Sequence, residues 1–277
     1  MASDNPADVV VSVHSVITRP SMMAFQSFEQ RPPFLTVVTD LVTTHHLWFE
    51  KSAERTFVPT QTAYDIGSSI GLMPEQLELT GLPVHPKFSE ALVEKSEARA
   101  GFRWDQALPT IMMIGGGEGM GPLFNNALAV NGANLNCQLV IVAGKNKDLK
   151  AQLDAQHWSQ PTHIYGFVDN VTEMPRMMAA SDILVTKAGP ATISEACIAG
   201  LPMILYDAIP GQEEGNVDFV VDNAIGMFAP QPDMLVATLR QWLDEADDTL
   251  QACASRARSM AYPDAVWKIA ESIWEYA

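Results

Sequence analysis

Residues 111 to 121 read Ile-Met-Met-Ile-Gly-Gly-Gly-Glu-Gly-Met-Gly, an apolar strand that runs into five glycines, with Pro122 and a second apolar run behind them. Backbone amides laid bare in such a turn, at the start of the next helix, form a seat for a phosphate or diphosphate. The candidate contacts are Gly116, Gly117, Glu118 and Gly119; a plain tight turn is the alternative. The spacing excludes two common phosphate loops. A G-x-G-x-x-G fingerprint starting at Gly115 needs glycine at the position of Met120, and starts at Gly116 or Gly117 fail as well. The next strand ends in Ala143-Gly144 and offers no carboxylate to a ribose. Gly144-Lys145 is followed by Asn146 and has no glycine five residues upstream, so it is not a Walker loop. An oxidoreductase using a dinucleotide is disfavoured on these grounds.

Three further turns carry polar groups. Lys187-Ala-Gly189-Pro-Ala-Thr192-Ile-Ser-Glu195 leaves a strand and enters a helix. Thr192 and Glu195 fit the capping box T-x-x-E, which would satisfy two orphan amides. Alternatively, Glu195 sits at the carboxyl edge of a parallel strand, where its carboxylate could accept both hydroxyls of a ribose. Downstream, Gln212, Glu213 and Asn216 crowd into one loop. It is either a solvated loop or a set of partners for sugar hydroxyls. Phe167 and Val168 follow Gly166 at another strand end. Phe167 reads as core or as a base-stacking ring, and the backbone of Val168 could meet the edge of a pyrimidine. In the first third of the chain, His14, Asp40 and His45 are weak candidates for general acid or base work. Their alternatives are turn caps and surface histidines. His45-His46 lacks a third ligand at helical spacing and is a poor metal site.

The elements that must position these groups alternate. Short apolar strands are expected at Asp8–Val13, Phe34–Thr39, Thr56–Pro59, Leu77–Thr80, Thr110–Ile114, Cys137–Val142, His163–Tyr165, Ile183–Thr186 and Met203–Tyr206. Helices are expected at Ala63–Ile70, Ser89–Ala100, Leu123–Asn131, Asp148–His157, Met174–Ala180, Thr192–Ala199, Val217–Asn223, Met234–Glu245 and Asp264–Tyr276. Continuous apolar strands between helices imply an α/β doubly wound architecture with parallel sheets. Gly81-Leu-Pro-Val-His-Pro86 marks the best boundary. Residues 1–85 then form a thin first domain with very little helix between its first two strands, like the back half of a domain. Residues 86–262 form a complete nucleotide-type domain, and 263–277 a final helix.

Composition limits the partners. The chain has 277 residues and 47% hydrophobic content, with 17 basic against 33 acidic side chains, a formal net charge of -16. Such a charge repels nucleic acid and disfavours loose adhesion to anionic lipid. The start of the chain reads as neither a signal nor a transit peptide, and no apolar run is long enough to span a bilayer. Cys137, Cys197 and Cys253 have no metal spacing.

Taken together, the turns resemble a known family. GGGEGMGP at 115–122, GFV at 166–168, TKAGPATISEA at 186–196, GLP at 200–202 and IPGQEEGN at 209–216 are similar to the donor half of two-domain GT-B glycosyltransferases. That group includes the bacterial peptidoglycan N-acetylglucosaminyltransferase. The likeness is closest to the monogalactosyldiacylglycerol synthase family, glycosyltransferase family 28. VVTDL with His45 and Trp48-Phe49, VPT at 58–60 and GLPV at 81–84 also resemble it.

The resemblance implies a GT-B fold with a complete UDP-sugar-binding domain at 86–262, a partial acceptor-side domain at 1–85, and a last helix, 263–277, packing back toward the latter. It implies inverting transfer of galactose from UDP-galactose to 1,2-diacylglycerol, in galactolipid synthesis, without an obligatory metal or cofactor. Phe167 and Val168 would hold the uracil, Glu195 the ribose, and Gly116–Gly119 the diphosphate. Gln212, Glu213 and Asn216 would surround the sugar and phosphates, with Lys187, Gly189 and Thr192 lining the same turn. Peripheral contact with the plastid (chloroplast) envelope membrane is implied too. The family's histidine-bearing glycine turn, its presumed base, has no counterpart ahead of Ala7-Asp8-Val9. An N-terminally truncated form is therefore expected. The alternatives are an inactive UDP-sugar-binding protein, a diacylglycerol glucosyltransferase, or a nucleotide-sugar epimerase.

Overall fold

The computed structural model describes residues 7–115, 122–244 and 248–277. The chain divides into two compact units, 1–86 with 262–277, and 87–261.

The first unit is built on β1 (Val10–Ser12), β2 (Phe34–Val37), β3 (Arg55–Val58) and β4 (Leu77–Leu79), all parallel, in that order. Helix α1 (Ser15–Phe25) joins β1 to β2, and α2 (Gln61–Ile70) joins β3 to β4. The α1 helix corrects the expectation of little helix between the first two strands. Pro20 and three β-branched residues at 16–18 hide it in the sequence. Thr60 caps α2, its Oγ1 accepting from the Ala63 amide at 3.2 Å, and Gly71 closes the helix at φ 105°. Gly81, at φ 86°, lies so close to Tyr262 that a Cβ there would sit 2.2 Å from the Tyr262 Cβ. The returning tail is thus fitted against a bare backbone.

The second unit opens with α3 (Pro86–Glu90) and α4 (Lys95–Phe102), two helices where one was expected over 89–100. Its sheet contains β5 (Thr110–Ile114), β6 (Gln138–Val142), β7 (Thr162–Tyr165), β8 (Ile183–Lys187), β9 (Met203–Asp207) and β10 (Gly226–Phe228). The strands are parallel, in the order β10-β9-β8-β5-β6-β7. Between them run α5 (Leu123–Gly132), α6 (Lys147–Asp154), α7 (Glu173–Ala180), α8 (Pro190–Ala199) and α9 (Glu214–Asp222). After β10 come α10 (Pro232–Trp242) and α11 (Thr249–Ser259). Helix α12 (Ala265–Trp274) belongs to the first unit, where Ile269 packs with Leu35, Val37 and Phe57.

Every residue of β5 and β6 is buried, as expected of strands covered by helices on both faces. Ile111, Met113, Leu139 and Ile141 join Leu123, Val130, Leu153, Leu235 and Leu239 in one cluster, each large side chain contributing about 1.5–3 kcal/mol. At the opposite end of the sheet, Asp182 ties three pieces together. It pairs with Lys95 and Arg99 at 2.5 Å each and accepts the Thr110 amide at 2.7 Å. The sheet order reverses at β5, whose successor β6 lies on one side and β8 on the other. Ligands of open α/β sheets bind in the crevice beyond the carboxyl ends of the strands at such a point.

Candidate functional site

The turn from β8 into α8 is set by Gly189-Pro190. Gly189 is the N-cap, in extended backbone (φ -69°, ψ 133°) and with no side-chain cap, and Pro190 opens the helix with the φ it prefers. The helix therefore begins two residues earlier than the sequence suggested. Thr192 lies inside its first turn, and the capping-box reading of Thr192 and Glu195 is overturned. Glu195 falls one turn further in and lines a cavity of about 70 Å³ with Thr192, Ile114, Val142, Gly144, Phe167 and Val168. Burial raises its carboxyl from the usual 4.5 to about 7. A carboxyl so placed gains on meeting a pair of hydroxyl donors.

The other wall comes from β6 and β7. Gly144, at φ 63°, turns the chain away from β6. Phe167 stands 62% exposed, with the Lys145 Nζ 5.9 Å from its ring centroid, whereas Val168 is buried. An exposed ring over a closed apolar floor suits a flat base. Asn170, Met174 and Met178 complete the lining. The sequence reading missed them, although Asn170 stands only two residues past Val168.

Beyond β9 the polar loop is partly internal. Glu213 is buried and accepts the Ile209 amide at 2.9 Å. Asn216 is 2% exposed and donates from Nδ2 to the Ala188 carbonyl at 2.9 Å, which ties this loop to the β8 turn. Its Oδ1 is buried and meets no donor among the described residues, an acceptor suited to a ligand hydroxyl. Gln212 is exposed. Lys187 pairs with Asp207 at 3.6 Å. Gly116, Gly117, Glu118 and Gly119 lie outside the described residues.

The candidates of the first unit have local tasks. His14 caps α1, its Nδ1 accepting the Val16 amide at 3.3 Å, and the His45 Nδ1 accepts the Leu47 amide at 3.1 Å. Asp40 accepts from the Trp48 indole at 2.6 Å. Among the described residues no His, Cys, Asp or Glu cluster could hold a metal, and no helix is long and apolar enough to cross a membrane. Larger cavities of about 400 and 340 Å³ lie around Asp182, at the amino-terminal ends of the strands and far from these groups. They share none of the chemistry of the crevice.

Two Rossmann-like halves with parallel sheets are the parts of a GT-B fold, and solved structures share it. The chain resembles MurG of Acinetobacter baumannii (TM-score 0.70, 15% identity, 99% of this chain and 75% of that one). It also resembles the UDP-GlcNAc 2-epimerase of Neisseria meningitidis, solved with UDP-GlcNAc (TM-score 0.72, 15% identity, 99% and 78%). Residues 110–268 match the glycosyltransferase family 28 C-terminal domain, and the chain belongs to that family. Residues 1–84 match the monogalactosyldiacylglycerol (MGDG) synthase model. The chloroplastic MGDG synthase of Spinacia oleracea is 37% identical over 97% of this chain and 52% of its own length. MGDG synthase 3 of Arabidopsis thaliana is 36% identical over 96% and 58%. The chain thus spans about half the length of the curated relatives it matches.

Proposed function

We propose that the second unit binds a uridine-diphosphate sugar and that the protein transfers galactose from UDP-galactose to 1,2-diacylglycerol. The carrying observation is Glu195, a half-buried acid at the carboxyl edge of β8, its carboxyl pKa raised by desolvation, in the same crevice as Phe167 and Val168. In this reading Phe167 and Val168 hold the uracil and Glu195 accepts the ribose hydroxyls. We assign the diphosphate to Gly116, Gly117, Glu118 and Gly119. Gly189, Thr192, Gln212, Glu213 and Asn216 enclose the sugar and phosphates, and Lys187 adds a cation at the same edge. The reaction is an inverting displacement. A lipid hydroxyl oxygen bonds to the anomeric carbon as the bond to the β-phosphate oxygen breaks, the hydroxyl proton passes to a base, and UDP leaves stabilised by main-chain amides. We place that base outside His14, Asp40 and His45, whose side chains already serve their own backbone or a neighbouring indole.

The acceptor is a membrane lipid, so we infer peripheral contact with a plastid envelope membrane. The exposed face of α1 supports it. Val16, Ile17 and Met23 stand out on that helix, with Val13 just before it, and residues 9–28 carry no acid in a chain of net charge -16. Transfer of labelled galactose from UDP-galactose to diacylglycerol in vesicles tests the whole reading. UDP binding without transfer would favour a donor-binding protein lacking activity, and faster transfer from UDP-glucose a glucosyltransferase.

A further inference from the structure

Tyr206 stands on β9 where that strand carries one residue more than its neighbour. Thr186 pairs with Leu205 and Lys187 with Asp207, so Tyr206 has no opposite on β8. An extra residue of this kind is rare in parallel pairs, and near functional sites it re-aims a side chain. The ring is 2% exposed, and its hydroxyl donates to the Ile114 carbonyl at 3.1 Å. Since β8 lies between β9 and β5, the side chain reaches across a whole strand. Ile114 is the last residue of β5, and pairing between β5 and β8 has ended one residue earlier, at Met113 and Val185. Tyr206 therefore supplies a tie where the two central strands have parted. Ile114 also lines the Glu195 cavity, and the glycine-rich loop begins at the next residue.

We propose that Tyr206 is a positioning residue for donor binding. Its hydroxyl holds the end of β5, at Ile114, where a nucleoside diphosphate needs it. Burial raises the phenol's pKa, so the group remains a donor at any working pH. The inference rests on the nucleotide-sugar reading given above. Phenylalanine would fill the same space, so the oxygen has a task other than packing.

The test is calorimetric titration of UDP, and of uridine, into the wild-type chain, Tyr206→Phe and Tyr206→Leu. Leu153→Ala, in α6, serves as a core control. Thermal unfolding is recorded for each. The expected result is a roughly 5- to 20-fold weaker Kd for UDP in both Tyr206 variants, with a smaller change for uridine, which has no diphosphate to seat. Leu153→Ala should lower the Tm at least as much as Tyr206→Phe while keeping UDP affinity within about twofold. Wild-type affinity for UDP in Tyr206→Phe, or a loss no larger than that of Leu153→Ala, overturns the assignment and leaves the nucleotide-sugar reading intact. A wild-type chain that binds no UDP overturns both.

Discussion

The acid-base candidates of the first unit, His14, Asp40 and His45, and the crevice groups Glu195 and Asn216 of the second are used in opposite ways. His14 and His45 give their Nδ1 lone pairs to amides two residues on, and Asp40 takes the Trp48 indole proton. Each satisfies its own loop. In the second unit Glu195 is half-buried, at a cost to its charged form, and Asn216 keeps a buried oxygen with no donor among the described residues. Groups left wanting a partner at a sheet edge mark a ligand site more clearly than groups that have one. Residue type alone would have favoured the histidines.

That contrast can be broken in several ways. The largest expected effect is on Glu195. Glu195→Ala should weaken UDP binding by about 10- to 100-fold, the cost of leaving a ribose diol unpaired being on the order of 1–3 kcal/mol. Calorimetry reads this directly, and unchanged affinity would remove Glu195 from the site. The same variant should not lose stability at pH 8. With a folded pKa of about 7 against 4.5 unfolded, the native state holds the proton more tightly. Stability from this group is then complete below pH 4.5 and declines as pH rises toward 7, by on the order of 3 kcal/mol. Glu195→Gln should therefore raise the Tm at pH 8 relative to wild type and leave it nearly unchanged at pH 4.5.

Asn216→Ala comes next. Loss of the bond to Ala188 strands a buried carbonyl and should cost about 1–3 kcal/mol in chemical denaturation, with weaker UDP binding alongside. The smallest effect belongs to the first unit. His14→Ala or His45→Ala should cost about 0.5–2 kcal/mol of stability through the lost caps and leave UDP affinity as it was. A large loss of UDP affinity in either variant would erase the contrast between the units.

Much of the second unit was legible in the sequence, because strands buried on both faces read as unbroken apolar runs. What failed has physical reasons. Helix α1 carries Pro20 and a β-branched start, α11 is rich in arginine and short of large apolar side chains, and β10 has only three residues, one of them glycine. The helix over 89–100 breaks because residues 91–94 leave helical geometry. The helix start at Pro190 was misplaced because a capping box is a local pattern, and the proline that overrides it stands two residues upstream. Part of the crevice could be foreseen, since Phe167, Val168, Thr192 and Glu195 stand in two turns, rich in glycine or polar residues, that follow strands. Tyr206 could not. In sequence it is one more apolar-compatible strand residue, and only the folded sheet shows its hydroxyl on the Ile114 carbonyl beside the slip in pairing between β8 and β9.

The central claim is that Glu195 takes up a nucleotide-sugar ribose by giving up its proton. Titration of UDP at pH 7, in two buffers of different ionisation enthalpy, tests this most directly. The account predicts saturable binding in which the wild type releases roughly half a proton more per UDP than Glu195→Gln does, as expected of a carboxyl near its midpoint, the proton lost by the UDP phosphate being common to both. Absent binding, or binding of equal strength and equal proton release in the Glu195→Gln variant, would contradict it.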